Sequence, residues 1–118
     1  MATVSSHTLN SVDGTHAGGI VVTLTRIDID GSRTNLFTSV TDDGGRISQE
    51  LEIDAVLPDA VFELVFETDA YFERMKLPKT GLKTVRDIVI RFAMPDRAAR
   101  YHIPVMLAPN SYSVWWSS

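Results

Sequence analysis

Tyr101-His-Ile-Pro-Val-Met-Leu107 and Ser111-Tyr-Ser-Val-Trp-Trp-Ser-Ser118, joined by Ala108-Pro-Asn110, decide how this chain folds. Both runs are apolar and alternate, and a Pro-Asn corner between such runs predicts a hairpin. Its second strand carries two indoles almost to the end of the chain. Chain ends usually fray and carry polar residues, whereas each indole hides a large apolar surface and seeks a partner for its N–H. The terminus is therefore read as docked, either in the core or against another subunit. Neighbouring strand residues point to opposite faces, so one of Trp115 and Trp116 can be core while the other faces a partner or pocket. Interface or pocket is preferred to plain core for the pair.

The same alternation recurs upstream. Ala60-Val-Phe-Glu-Leu-Val-Phe-Glu-Thr68 puts Phe62, Leu64 and Phe66 on one face and Val61, Glu63, Val65 and Glu67 on the other, the pattern of a strand with one buried side. Further strands are expected over Ser6–Val12, Ile20–Ile29, Asn35–Thr41, Arg46–Ile53 and Val85–Phe92. Turns separate them at Asp13-Gly14, Asp30-Gly31-Ser32, Asp42-Asp43-Gly44-Gly45 and Leu57-Pro58-Asp59. Asp69 suits a helix N-cap, with Ala70–Lys76 making one or two turns before Pro78 stops them. Seven or eight short strands and one small helix describe an all-β, two-sheet sandwich in a single domain over residues 1–118. A long apolar edge such as Ile103 to Val114 invites pairing with a second copy, most simply about a twofold axis.

Eleven basic and fifteen acidic residues give a net charge of −4. The basic residues are scattered, so the footprint of a nucleic-acid partner is missing. No segment has the length and apolarity of a membrane span, and the first residues lack a basic head followed by an apolar run. A soluble cytoplasmic protein is the default expectation. Without cysteine, there is no disulfide framework and no thiolate nucleophile or thiolate metal cluster.

The three histidines are not spaced as a metal pair on one element, and neither a metal nor another cofactor is expected. Taken singly, each reads as an ordinary solvated or hydrogen-bonded imidazole. His16 falls in a Gly-rich loop and is left there. His7 and His102 stand in strand contexts, Ser5-Ser6-His7-Thr8 and Tyr101-His102-Ile103-Pro104. If those strands meet, two imidazoles share a cavity and can take a proton from water near neutral pH. Arg46, just past a tight turn, can reach the same cavity and hold an anionic or carbonyl-rich substrate in a forked grip.

Five segments, in order along nearly the whole chain, carry a resemblance: Ser6-His7-Thr8-Leu9-Asn10, Asp13-Gly14 to Leu24, Thr41-Asp42-Asp43-Gly44-Gly45-Arg46-Ile47, Phe66-Glu67-Thr68-Asp69-Ala70-Tyr71-Phe72 and Tyr101-His102-Ile103-Pro104 to Pro109, ending in Tyr112-Ser113. Together they resemble the transthyretin-related 5-hydroxyisourate hydrolases. That resemblance implies a transthyretin-like sandwich of eight strands with a short helix after the fifth, and a homotetramer with sites in a channel where two dimers meet. It implies a site lined by His7, Arg46 and His102 together with the last residues of the chain. The family ends Tyr-Arg-Gly-Ser where this chain has Trp115-Trp116-Ser117-Ser118, keeping only the last serine. Asn10, His16 and Thr84-Val85-Arg86-Asp87 stand where aspartate, proline and Phe-Phe-Pro-Glu are usual.

The implied activity is histidine-assisted hydrolysis of a small cyclic substrate in urate catabolism. His7 and His102 serve as base and acid in an order left open, Arg46 holds the oxyanion, and Ser118 places its hydroxyl or the terminal carboxylate near the water. Tyr112, Trp115 and Trp116 wall the substrate pocket. Two rivals stay open because indoles favour a flatter, more apolar ligand: a diverged cyclase, isomerase or hydrolase of an aromatic metabolite, and a transthyretin-like binding protein without turnover.

Overall fold

The computed structural model describes residues 1–53, 59–75 and 83–117. Its strands are β1 (Ala2–Asn10), β2 (Val21–Ile27), β3 (Arg33–Val40), β4 (Arg46–Leu51) and β5 (Val61–Phe66), followed by helix α1 (Thr68–Arg74). Then come β6 (Ile88–Phe92), β7 (Arg100–His102), β8 (Val105–Ala108) and β9 (Ser111–Val114). One sheet runs β4-β1-β8-β9, with β7 also on β1, and the other runs β3-β2-β5-β6. The eighth strand of the expected sandwich is β9, because β7 and β8 are two halves of one run along β1. Pro104 interrupts that run: it has no N–H to offer a ladder, while Ile103 N still donates to Ser5 O at 2.9 Å.

The core lies between the sheets. Phe62, Leu64 and Phe66 all turn inward as their alternation requires, and meet Val22, Leu24, Ile88, Val105 and Leu107. Burying each large side chain contributes about 1.5–3 kcal/mol. On the outer face of the same strand, Glu63 is clasped by Arg33 at 2.7 Å and by Arg91 at 2.6 Å.

Three expectations need correction. The first strand begins at Ala2 and ends at Asn10, instead of spanning Ser6–Val12. Ala2 and Val4 are fully buried, whereas Val12 sits exposed in the turn. Its alternation looked weak because three of its inward residues are polar. Each of these is satisfied: Ser6 Oγ donates to Ile103 O at 2.6 Å, Thr8 Oγ1 to Ala17 O at 2.6 Å, and Asn10 Nδ2 to Tyr71 Oη at 3.1 Å.

Asp69 is not the N-cap. The helix starts at Thr68 after Glu67, and the Asp69 carboxylate sits in the first turn, where it pairs with Arg86 at 2.8 Å and Lys83 at 2.6 Å. The proposed helix end at Lys76 and stop at Pro78 lie outside the described residues, as does most of the Leu57-Pro58-Asp59 turn.

The indoles do not continue the last strand, which stops at Val114. They are not core within one chain either, since Trp115 is 45% and Trp116 62% exposed. The terminus is nonetheless anchored: His102 and Ser117 exchange both main-chain hydrogen bonds, at 3.1 and 2.8 Å.

Candidate active site

Strand β1 organises the site. Its even residues point into the core, so Ser5 and His7 share the opposite face of the sheet. Antiparallel pairing with β4 sets Arg46 directly opposite His7. Parallel pairing with β7 sets His102 beside Ser5. The two histidines and the arginine proposed from sequence therefore come together on one sheet face, delivered by three different strands.

The turn before Arg46 is built by Asp42, whose Oδ1 accepts from Gly44 N and Arg46 N, both at 2.9 Å. Gly45 adopts a left-handed φ of 74°, which brings its carbonyl to 2.7 Å from Thr8 N. Among the described residues no carboxylate pairs with the Arg46 guanidinium, which leaves its fork open to a ligand. Ser5, Asp42, Arg46, Ser48 and His102 line a shallow depression of about 270 Å³.

Two side chains join the site that sequence reasoning passed over. Ser5 Oγ lies 2.8 Å from His102 Nδ1 and fixes the orientation of that ring. His16, set aside as a loop residue, places Nδ1 at 2.9 Å from His7 Nε2, with the rings stacked at 5.0 Å between centroids. The signal for Ser5 was its i−2 spacing from His7, which puts both on one strand face. For His16 it was the Asp13-Gly14 turn, which folds His16 back against Leu9 in a bridge.

Burial holds the His7 imidazole below its ordinary pKa, and the positive charge of Arg46 acts in the same direction. His16 and His102 add to this, while a hydrogen bond to the Gly44 carbonyl opposes it. His7 is thus poised to be neutral at neutral pH, as a base must be. Among the described residues no three His, Asp or Glu side chains are grouped to hold a metal ion.

The shared cavity expected for the two histidines is not formed within one chain: Arg46 and His102 line the depression, whereas His7 stands on the same sheet face outside its wall, as do Tyr112, which is 45% exposed, Trp115 and Trp116. Ser118 lies outside the described residues. Ser117 exchanges main-chain hydrogen bonds with His102.

The chain is similar in sequence and fold to several known proteins. The 5-hydroxyisourate hydrolase of Halalkalibacterium halodurans is 33% identical over 116 residues, covering 98% of this chain and 97% of that protein. The structure of Klebsiella pneumoniae 5-hydroxyisourate hydrolase superposes with a TM-score of 0.78 at 28% identity, over 100% of both chains. Transthyretin from Sparus aurata gives the same TM-score of 0.78 at 26% identity, over 97% of this chain and 95% of that one. The family model described as HIUase/Transthyretin matches residues 4–116, a span that takes in both sheets, His7, Arg46 and His102, and with this match the chain belongs to the HIUase/Transthyretin family.

Proposed function

We infer that this chain is a 5-hydroxyisourate hydrolase acting in urate catabolism. The observation that carries the reading is the convergence of His7, Arg46 and His102 on one sheet face, in a chain similar along its whole length to proteins named for that reaction. A carrier needs no such set. A poised imidazole, an unpaired guanidinium and a second imidazole oriented by a hydroxyl are what amide hydrolysis requires.

His7, held neutral, takes a proton from water as the water oxygen attacks the carbonyl carbon of a ring amide. The negative charge that develops on the carbonyl oxygen is met by the Arg46 guanidinium. Ser5 donates to His102 Nδ1 and so keeps the one proton of that ring on Nε2, aimed at the departing ring nitrogen to orient it, and the nitrogen takes up the proton that His7 removed from water. The C–N bond breaks, the nitrogen leaves as N–H, and the new carboxyl group loses its proton to solvent. Ser118, next to the anchored Ser117, brings its hydroxyl or the terminal carboxylate to the water.

The complete site is proposed to form in a homotetramer of two dimers. Met106, Tyr112, Trp115 and Trp116 are all at least 40% exposed around the terminal hairpin, an apolar patch that a neighbouring chain covers. In that assembly the indoles wall the channel, and their flat faces accept a planar heterocycle in place of the charge a family arginine would supply. None of the helices among the described residues is long and apolar enough to cross a membrane, and we place the enzyme in the cytoplasm.

The test is direct. Purified protein is mixed with freshly generated 5-hydroxyisourate and the transient absorbance is followed. Decay that accelerates in proportion to protein concentration is the expected result. Decay no faster than in buffer overturns the proposal, and saturable ligand binding with no turnover would replace it with the carrier reading.

A further inference from the structure

We propose that Ser48 is a specificity-determining residue of the site, and that its hydroxyl selects rings in which the departing nitrogen lies between two carbonyls. The proposal deepens the hydrolase reading and rests on it for its effect on turnover.

Strand β4 places Ser48. Arg46 and Ser48 point outward and are exposed, while Ile47 between them is buried. The register sets Ser48 directly opposite Ser5, as it sets Arg46 opposite His7, and Ser5 in turn lies beside His102. Thr8 N donates to Gly45 O at 2.7 Å. That bond fixes the phase of the ladder, so His7–Arg46 and Ser5–Ser48 fall among the pairs whose side chains stand closest. Two rows of polar groups thus cross the sheet face, His7–Arg46 and Ser48–Ser5–His102, about 6.8 Å apart along the strands.

Three serines line the depression, Ser5, Ser6 and Ser48. Two have their hydroxyls engaged. Ser5 Oγ is bonded to His102 Nδ1 at 2.8 Å, and Ser6 Oγ donates to Ile103 O at 2.6 Å. Among the described residues Ser48 Oγ has no hydrogen-bond partner, not even Ser5 across the ladder. It is the one serine hydroxyl of the wall left to a ligand. Asp42, Arg46 and His102 make the rest of the wall polar, and Ile47 turns its side chain inward. Such a floor reads the hydrogen-bonding edge of a ring, whereas an apolar edge would leave its donors unpaired.

A ring that enters edge-on lays that edge across the two rows. The attacked carbonyl rests on Arg46, the departing nitrogen turns toward His102, and a carbonyl on the far side of that nitrogen accepts from Ser48 Oγ. The ring edge of 5-hydroxyisourate has this carbonyl–nitrogen–carbonyl order, and a simple lactam does not. The second carbonyl is not attacked and gains little charge as the bond breaks. Its hydrogen bond is therefore as strong before the transition state as in it, and supports binding more than rate.

The test uses full-length protein and two planar purines that differ by this one group. Xanthine has carbonyls on both sides of a ring nitrogen, and hypoxanthine lacks the second. Ligand-detected NMR titration should show xanthine bound about 3- to 10-fold more tightly than hypoxanthine, the effect of one hydrogen bond. Ser48→Ala should erase that difference by weakening xanthine alone, and Ser48→Thr, which keeps the hydroxyl on a residue suited to a strand, should restore it. On 5-hydroxyisourate, Ser48→Ala should raise KM about 3- to 10-fold with kcat within about twofold of the parent. Structural damage would weaken both purines together and would not be rescued by threonine.

Parent protein that binds xanthine no more tightly than hypoxanthine, or Ser48→Ala that weakens both equally or neither, overturns the proposal. Protein that shows the Ser48-dependent preference yet leaves 5-hydroxyisourate untouched supports the role of Ser48 and overturns the hydrolase reading. Active protein whose KM and purine preference ignore Ser48 does the reverse.

Discussion

Replacing Gly45 by alanine tests how closely the turn before Arg46 is held against β1. Gly45 and Gly14 adopt nearly the same left-handed backbone, φ 74° and 77°. Their surroundings differ. A Cβ on Gly14 meets nothing within 4 Å, whereas one on Gly45 runs into the Thr8 carbonyl oxygen, with Thr8 Oγ1 at 3.2 Å and Ala17 N at 3.3 Å. The left-handed backbone costs alanine about 1–2 kcal/mol at either site. Overpacking against fixed backbone adds about 1–3 kcal/mol, and only at Gly45. In urea unfolding, Gly14→Ala should therefore lose about 1–2 kcal/mol and Gly45→Ala about 2–5 kcal/mol. Relief of the clash pushes the turn off β1, so Arg46 moves away from His7 and activity should fall in Gly45→Ala alone. Equal destabilisation of the two variants, or full activity in Gly45→Ala, would refute the reasoning.

Other outcomes follow from the same geometry. Arg46→Ala should lower kcat/KM by about 10- to 100-fold, the loss of a charge-assisted contact in the transition state. It should also move the acid limb of the pH–rate profile to higher pH, because Arg46 is one of the charges that keep the His7 pKa down. Ser5→Ala leaves His102 Nδ1 without its partner and should cost about 3- to 10-fold in kcat, with Ser5→Thr restoring it; an unchanged kcat in the alanine variant removes Ser5 from the site.

Glu63→Gln should destabilise the fold by about 1–2 kcal/mol at pH 7, reduced by screening because both arginines are half-exposed. Hydrogen bonds from Arg33, then Arg91, hold the Glu63 carboxyl below its ordinary pKa. Its stabilisation is thus fully present above that ordinary value and lost as pH falls through the depressed one, so the unfolding curves of parent and variant should converge in acid.

The sandwich was legible because one-sided burial leaves its mark on sequence. Val61 to Phe66 alternates cleanly since its outer face is solvated apart from the Glu63 clasp, and the strand appears where expected. The Asp-Gly turns were legible for a different reason: Gly14, Gly31 and Gly45 all take the positive φ that glycine tolerates. Long-range register was not legible. Nothing local tells residue 5 that it will lie beside residue 102, and the parallel pairing of β1 with β7 comes from the whole sandwich closing. The family resemblance supplied that convergence for His7, Arg46 and His102, but not for Ser5 and His16, whose roles depend on hydrogen bonds rather than on residue type.

Buried polar residues explain both the weak reading of β1 and the accuracy of the site. Thr8 points inward, where an apolar residue would have made the strand obvious, and its hydroxyl reaches Ala17 O at 2.6 Å and Gly45 O at 3.1 Å. Its main chain binds the same two residues, through Thr8 N to Gly45 O and Ala17 N to Thr8 O. One residue after His7, then, a single threonine fastens the loop that ends in His16 and the turn that starts Arg46. A valine of the same shape would fill the core equally well and hold neither loop through its side chain. Polarity hidden on the inner face of β1 is what fixes the geometry of the chemistry on its outer face, so the weakest strand signal in the sequence and the most constrained part of the site have one cause.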